Sequence, residues 1–353
     1  MRNKFTSMLI AVSALAVTSV HAEEVVVSTK GGLKVSSGDY TFEFGGRIQY
    51  DYNRSEKNGE VDEDDFDLRR GRVYMKGSVA RNWEYKINFN VDGSGAEDLY
   101  LRYKGWGKAA VVTIGKQHQP FTLEQLISSK DVSISERSGI TERYLIGRRE
   151  GVQLQGDVDR LHYAVGVFTE EGKNEDNGFA ARLAYAPYKS DASVVHLGAS
   201  YKDTKQQDAF GVELAAVTGP LHFQMEYFDA DELDSLVSDI TGEVSSFENS
   251  VDGYYVQAGY FITGEVRPYK KGTFGRPTPL SRSGAWEVVA RYEDGDGDFG
   301  DVELGNTNAS VTSLGLNYYL NKNVRVNASY MDGESNINED DGSEFRLRFQ
   351  ITF

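Results

Sequence analysis

The chain has 353 residues, no cysteine and a formal net charge of −16 at pH 7. Without cysteine it has no disulfide framework of the kind that holds small secreted domains together. Its 37 glycines, 21 tyrosines and 18 phenylalanines indicate many turns and many strands, because aromatic residues suit the pleated surface of a sheet. We therefore expect extensive β-structure and little helix.

Residues 1–22 have the pattern of a secretory signal peptide. A short basic start precedes an apolar run that ends at Val20, and the small residue Ala22 marks the expected cleavage site. This run is too short to cross a bilayer core of about 30 Å as a helix, and no later stretch reaches the roughly 20 apolar residues that a membrane helix needs. We expect residues 23–353 to form a single exported domain.

Period-two alternation recurs throughout the mature chain. In the first segment Tyr50 and Tyr52 share one parity, whereas Arg47, Gln49 and Asp51 share the other. Such alternation between an apolar and a polar face predicts a β-strand. We count sixteen such segments, joined by alternately tight and long connections, with acidic residues clustered in the long ones. This pattern predicts an all-β fold, a transmembrane antiparallel β-barrel of 16 strands in a bacterial outer membrane.

A soluble β-sandwich is the alternative interpretation of the strands alone. The barrel fits better because Tyr and Phe concentrate near segment ends, where a barrel has its aromatic girdles. A closed barrel also satisfies every backbone donor and acceptor in lipid. The second segment is imperfect, since Phe66 and Leu68 are out of phase with Val73 and Met75. We expect either a bulge near Arg69–Gly71 or an upper part that stands above the membrane.

One long connection, at about residues 117–148, shows no strand alternation. It far exceeds the usual 2 to 6 residues, and loops of this length are usually functional or disordered. Apolar residues such as Phe121, Leu123, Ile127 and Ile134 argue against disorder. We expect this third long loop to fold into the barrel and constrict the pore. The alternative is a surface loop with its own small core.

The polar parity of the strands should line the lumen, and it is rich in cations. Rings of arginine and lysine select anions, and the guanidinium fork matches two phosphate oxygens. The alternative is that these cations only balance luminal acids such as Glu43, Asp51 and Glu213. The predicted luminal basic path consists of Arg70, Arg72, Lys76, Arg102, Lys104, Arg291, Arg346 and Arg348.

A set of short motifs covers nearly the whole mature chain. They are Phe44–Gln49, Leu68–Arg72, Asp98–Tyr100, Pro120–Glu124, Ser128–Lys130, Glu136–Ser138, Tyr260–Glu265, Arg267–Tyr269 and Gly284–Val288. Together they resemble the phosphate-selective porin O and P family of Gram-negative outer membranes. The resemblance implies a trimeric barrel whose third loop forms a narrow anion site. By motif position, it implies that the site falls on Arg47, Asp98, Ser128, Ser129 and Arg137.

Two residues of that implied site need comment. Gln125 stands where the family has a basic residue just before the paired serines, so one point charge is missing from the constriction. Asp98 can accept a hydrogen bond from a protonated phosphate, or orient Arg47 or Arg137. The alternative for Asp98 is an ordinary luminal salt bridge.

A second long connection, from Thr263 to Ser283, lies on the short-turn side of the predicted barrel. It carries the predicted exit-side cations Arg267, Lys270 and Lys271. We interpret it as a periplasmic loop that folds inward and offers these cations to departing anions. A solvated basic loop is the alternative.

The sequence therefore predicts an outer-membrane, anion-selective diffusion channel for phosphate or polyphosphate. No enzymatic activity is expected, because the four histidines of the mature chain fall singly on separate segments without a nucleophile motif or metal-ligand spacing. No cofactor, metal or nucleic-acid partner is expected. The expected partners are the outer-membrane bilayer, small inorganic anions and two further copies in a homotrimer. The alternative function is a general, weakly selective diffusion porin with no specific phosphate site.

Overall fold

The structure is a computed structural model that describes residues 24–29, 31–144, 147–170, 173–205, 207–237, 244–298, 306–336 and 340–353. The predicted signal peptide, residues 1–22, lies outside these ranges. Neither of the two short helices within them has the length and hydropathy needed to cross a bilayer.

Sixteen strands of the described chain form one closed antiparallel barrel, as predicted. They are β3 (Tyr40–Lys57), β4 (Glu60–Val79), β5 (Trp83–Asn90), β6 (Ala96–Tyr103), β7 (Val111–His118), β8 (Arg148–Val158), β9 (Leu161–Glu170), β10 (Lys173–Lys189), β11 (Ser193–Asp203), β12 (Gln207–Thr218), β13 (Leu221–Val237), β14 (Val244–Phe261), β17 (Ala285–Asp298), β18 (Asn306–Tyr319), β19 (Val324–Ser335) and β20 (Asp340–Thr352). A hairpin of β1 (Val26–Ser28) and β2 (Leu33–Ser37) precedes them, and β2 pairs with β3. A smaller hairpin consists of β15 (Tyr269–Lys270) and β16 (Thr273–Phe274).

The last barrel strand closes the sheet against the first. β20 runs antiparallel to β3, with Gln350 opposite Gln49 and Arg348 opposite Asp51. At the short-turn end the backbone of Phe353 exchanges hydrogen bonds of 2.8 and 3.0 Å with Gly46. Closure leaves the barrel without an exposed strand edge, which is what a sheet in lipid requires.

The alternation of side chains between lipid and lumen follows the predicted parity. In β3 the luminal residues Arg47, Gln49 and Asp51 are buried, whereas Ile48 and Tyr50 are exposed on the outer face. The outer face is therefore apolar and the luminal face polar, as expected for a barrel in a membrane.

The irregular second segment contains the predicted bulge. Gln49 pairs with Arg70 and the next residue, Tyr50, pairs with Leu68, so Arg69 is one extra residue in β4. A bulge shifts the alternation by one position. Phe66 and Leu68 therefore share the exposed outer face with the residues beyond the bulge.

The long connection between β7 and β8 folds into the barrel, as predicted. It contains α1 (Leu123–Leu126) and α2 (Gly139–Tyr144). Its apolar residues Phe121, Leu123, Ile127 and Ile134 are at most 1% exposed, so the surface-loop alternative is excluded. Leu145 and Ile146, which also belong to this loop, lie outside the described residues.

The start of the loop is fixed by hydrogen bonds to the first turn of α1. Thr122 caps this turn and accepts a 3.2 Å hydrogen bond from the backbone N–H of Gln125. The carboxylate of Glu226, on β13, accepts from the backbone N–H groups of Leu123 and Glu124, both at 2.7 Å. Helix N-termini leave such donors unpaired, and a carboxylate satisfies them while complementing the helix dipole.

The connection between β14 and β17 also folds inward, from the opposite end of the barrel. Phe274, Val266 and Tyr269 of this connection pack in one apolar cluster with Leu123 and Ile127 of the long loop. We call this connection the periplasmic loop, because short turns face the periplasm in bacterial barrels. The two loops support each other inside the lumen.

Candidate functional site

Three cavities lie in a row along the lumen wall that is formed chiefly by β3 to β6. The upper cavity has a volume of about 490 Å³ and the middle cavity about 450 Å³. Arg47, Arg72, Ser128 and Arg148 line both of them, and we call this shared position the junction. The lower cavity shares Lys76, Lys86, Tyr100 and Arg102 with the middle one. The cavities therefore form a continuous series from the long-loop end to the short-turn end.

Arg47 lies at the junction with an incompletely bonded guanidinium. The residue is 7% exposed, and its Nη1 donates a long hydrogen bond of 3.5 Å to Ser128 Oγ. Its Nε is buried and has no hydrogen-bond partner in the described part of the chain. A buried donor without an acceptor is unfavourable. Because Arg47 lines both cavities, an anion at the junction would meet a guanidinium whose hydrogen bonds are incomplete.

Asp98 lies in a salt-bridge network below Arg47. Lys86 Nζ lies 2.7 Å from its Oδ2, and Arg148 Nε donates to its Oδ1 at 2.7 Å. Asn88 donates a further hydrogen bond of 3.2 Å. The contacts of Asp98 are thus those of a luminal salt bridge with Lys86 and Arg148, and they do not involve Arg47 or Arg137.

The loop residues of the implied site line the upper cavity. Ser128 reaches the junction, and Ser129 and the neutral Gln125 line the upper cavity alone. Arg137 also lines it, but its guanidinium already donates to the backbone carbonyls of Glu124 at 3.0 Å and Ile127 at 2.9 Å. Because these carbonyls end the α1 turn, Arg137 braces the constriction as well as presenting charge to it.

The residues of the predicted basic path divide into two groups. Arg70, Arg72, Lys76, Arg102 and Lys104 line the cavities, each on β4 or β6 or the turn that follows. Arg291, Arg346 and Arg348 do not line these three cavities. Arg346 and Arg348 lie on β20, the strand next to β3, and Arg291 lies on β17. All three contact the long loop or its carboxylates.

The second group holds the loop in place. Arg291 donates to the backbone carbonyls of Glu136 at 3.0 Å and Arg137 at 3.2 Å. Arg348 donates to Asp51 at 2.7 Å and to the carbonyl of Ser135. The side chains of these arginines point inward and contact the loop, and a place for them on the anion path stays a prediction.

Glu136 connects the loop to both neighbouring walls. Its carboxylate accepts from Arg69 at 3.0 Å, Arg70 at 2.7 Å, Arg346 at 3.0 Å and Arg348 at 2.5 Å. The bulge in β4 allows the consecutive Arg69 and Arg70 to reach the same carboxylate. Burial raises the pKa of Glu136, but the hydrogen bond from Arg70 and the charges of the surrounding arginines outweigh burial and hold this pKa well below its usual range.

The predicted exit-side cations also separate in the structure. Arg267 is 4% exposed, donates to Gln224 Oε1 at 3.2 Å and lies over the ring of Phe274, and burial lowers its pKa. Lys270 and Lys271 are exposed. Arg267 therefore fixes the inward fold of the periplasmic loop, and of the three predicted cations only the two lysines are accessible.

Five cations that line the cavities were not among the predicted site residues, namely Lys34, Lys86, Lys116, Lys130 and Arg148. Lys86 and Lys130 line the middle cavity, and Arg148 lies at the junction. Lys86 has the luminal parity of its strand, so its position was accessible from the sequence. Arg148 is the first residue of β8. Strand alternation begins only after it, so the sequence does not predict which way its side chain points.

The sequence model described as "Phosphate-selective porin O and P" matches residues 42–209 and 202–353. The chain belongs to this family. Porin O of Pseudomonas aeruginosa is 26% identical to it, over 99% of this chain and 98% of that protein. The protein is thus an anion-selective channel of the bacterial outer membrane, as predicted.

Solved structures share the fold at low sequence identity. The anion-selective porin from Comamonas acidovorans has a TM-score of 0.61 and 12% identity, and covers 89% of this chain and 100% of its own. The in-vitro folded OmpT of Vibrio cholerae in its trimer form has a TM-score of 0.55 and 13% identity, and covers 89% and 99%. At these identities the comparison concerns the barrel alone.

Proposed function

We propose that this channel carries phosphate or polyphosphate through the three cavities, and that Arg47 and Ser128 recognise the anion at the junction. The observation that carries the proposal is the position of Arg47, which lines both cavities with a guanidinium whose hydrogen bonds are incomplete within the described residues. Phosphate oxygens accept readily from guanidinium and hydroxyl donors. A general diffusion pore gains nothing from such a donor, because an unsatisfied buried donor is unfavourable unless an anion binds to it. Membership of a family described as phosphate-selective supports the same anion.

The wall below the junction suits release of the anion. Lys76 and Lys104 face the lower cavity, where each is paired with a carboxylate, Glu43 at 2.8 Å and Glu84 at 2.7 Å. These lysines are between 39 and 44% exposed, so water competes for them. Conduction needs sites that attract an ion but do not hold it. Exposure to water increases from Arg47 to these lysines, so the anion should be held less tightly toward the lower cavity.

The assembly proposal is a homotrimer in the outer-membrane bilayer, formed after residues 1–22 are removed as a signal peptide. It is supported by the apolar outer face and by the trimer form of OmpT, a protein of the same fold. Neither a cofactor nor a catalytic step enters the mechanism. Native mass spectrometry of purified protein tests both parts. A monomer, or a chain that retains residues 1–22, would contradict them.

A general, weakly selective porin is the second candidate. Gln125 favours it, because this neutral residue lines the upper cavity. The two candidates differ in the consequence of Arg47→Gln, measured as the chloride-to-potassium permeability ratio and as phosphate block of chloride current in planar bilayers. Arg54→Gln is the matched control, since it removes the same charge from the same strand at a site 45% exposed.

The phosphate proposal predicts that Arg47→Gln raises the half-blocking phosphate concentration about 10- to 100-fold, because a hydrogen bond to a charged group is worth about 1.5 to 3 kcal/mol. Arg54→Gln should leave this concentration unchanged. If the two variants behave alike, the general porin is the better account.

A further inference from the structure

A second β-bulge lies beside the junction, in β6. Asn88 pairs with Asp98, and the next residue, Phe89, pairs with Ala96, so Glu97 is one extra residue. Consecutive side chains of a regular strand point to opposite faces, whereas a bulge redirects one of them. Here Glu97 and Asp98 both direct their carboxylates into the lumen, where both contact Arg148.

The two carboxylates hold one guanidinium from two directions. Arg148 Nη1 donates to Glu97 Oε2 at 2.5 Å, and Arg148 Nε donates to Asp98 Oδ1 at 2.7 Å. The third nitrogen, Nη2, makes no protein hydrogen bond within the described ranges. The side chain is 19% exposed and lines both the upper and the middle cavity. Arg148 is therefore fixed in orientation, and its Nη2 nitrogen is left to donate to an ion in the pore.

The charges around the junction do not cancel. The cations are Arg47, Arg72, Lys86 and Arg148, and the carboxylates are Glu97 and Asp98. These six groups together carry a formal charge of +2, which attracts an anion. Because Glu97 is shared between Arg72 and Arg148, at 2.5 Å from each, it holds two guanidinium groups without neutralising both.

We propose that Arg148 is a second anion-binding guanidinium at the junction, in addition to Arg47, and that Glu97 and Asp98 are its positioning residues. This inference rests on the proposed function, since it adds a donor to the same site. It also gives the two carboxylates a role in an anion channel: they orient a guanidinium whose free nitrogen contacts the passing ion. The competing role for Arg148 is a structural tie between the end of the long loop and β6.

The test compares Arg148→Gln with Arg81→Gln in planar bilayers. Arg81 lies in a turn at the short-turn end, is 77% exposed and pairs with Asp39, so its variant carries the same change in charge away from the junction. Two quantities are measured for each protein: the half-blocking concentration of inorganic phosphate and the chloride-to-potassium permeability ratio. Both are compared with the wild type.

We expect Arg148→Gln to raise the half-blocking phosphate concentration at least about tenfold, the loss expected for one charged hydrogen bond, and to lower the permeability ratio. Arg81→Gln should change neither. If Arg148→Gln matches Arg81→Gln while the wild type is blocked by phosphate, Arg148 is only a structural tie and the inference fails, whereas the proposed function stands.

Two further arms keep the outcomes distinct. If phosphate does not block the wild type, the proposed phosphate site fails, and the permeability ratio alone decides the role of Arg148. A lower ratio in Arg148→Gln supports the anion-binding role, and an unchanged ratio overturns it.

If Arg148→Gln does not fold, Arg148→Lys replaces it. A lysine keeps the charge but cannot bridge both carboxylates and still donate to the ion. It should retain the permeability ratio while phosphate block weakens severalfold, and unchanged block would overturn the inference.

Discussion

Replacing Glu136 with Gln should release one end of the constriction loop from the barrel wall. Four arginines, Arg69, Arg70, Arg346 and Arg348, converge on this carboxylate at distances between 2.5 and 3.0 Å. Glutamine keeps the size of the side chain but removes its charge and one of its two good acceptors. The perturbation therefore acts on the tether of the loop, and the backbone of the barrel is untouched.

The magnitude depends on which arginine is left without a partner. Arg348 keeps Asp51, Arg346 keeps Glu344, and Arg69 is 40% exposed, so water replaces its lost contact at little cost. The side chain of Arg70 is 9% exposed, and Glu136 is its only hydrogen-bond partner within the described residues. Leaving one buried charge unpaired costs about 3 to 5 kcal/mol. At about 1.4 kcal/mol per factor of ten, opening of this loop end should become at least about 100-fold more frequent.

Hydrogen–deuterium exchange of the loop amides measures this opening directly, because protection reports the free energy of local opening. The peptide that covers residues 130–138 should exchange at least about 100-fold faster in Glu136→Gln than in wild type, while the barrel strands stay protected. Glu142→Gln is the control: Glu142 belongs to the same loop, is 44% exposed, and its pair with Arg137 should contribute no more than about 1 kcal/mol. Equal exchange of the loop in wild type and Glu136→Gln would refute the tether.

Three further predictions concern selectivity and folding. Arg137→Ala should lower the anion preference measured by reversal potential more than Arg346→Ala, because Arg137 both lines the upper cavity and braces α1; equal effects would contradict the constriction. Burial lowers the pKa of Lys130, so anion preference should fall with rising pH below the usual lysine range near 10.4, and a Lys130→Gln channel that keeps this fall would exclude Lys130 as its origin. Gly115→Ala should lower the melting temperature of the barrel, because Gly115 has φ +119° and an added Cβ would lie 2.3 Å from the carbonyl oxygen of Leu99; unchanged melting would contradict this.

The parity of short segments predicted most of the barrel. Tyr50 and Asp51 face opposite sides, as the alternation indicates. The bulge in the second segment lies at Arg69, within the stretch where a bulge was expected. These features are local, since the direction of a side chain in a strand depends on its immediate neighbours. The apolar content of the long loop likewise indicated that it packs.

Coverage of the wall by the loop could not be predicted in the same way. Arg72 and Arg348 have the same luminal parity, yet Arg72 lines the path and Arg348 donates to the loop carbonyl of Ser135. Which of them meets water depends on where a segment some 200 residues distant along the chain comes to lie. Strand alternation carries no information about that contact.

The junction shows a second limit. A strict period of two sends Glu97 and Asp98 to opposite faces, and the bulge in β6 overrides it. Arg148 lies where loop becomes strand, so no period applies to it. Glu97 and Arg148 are therefore the residues of the junction for which the sequence pattern is least informative.

Single-channel conductance of the wild-type protein in a planar bilayer, recorded over a range of chloride concentrations and then titrated with phosphate, tests the central claim most directly. A binding site at the junction predicts that the conductance saturates with chloride and that low phosphate blocks the current. Conductance that rises linearly with chloride and is insensitive to phosphate would contradict the site and show a general porin on the same barrel.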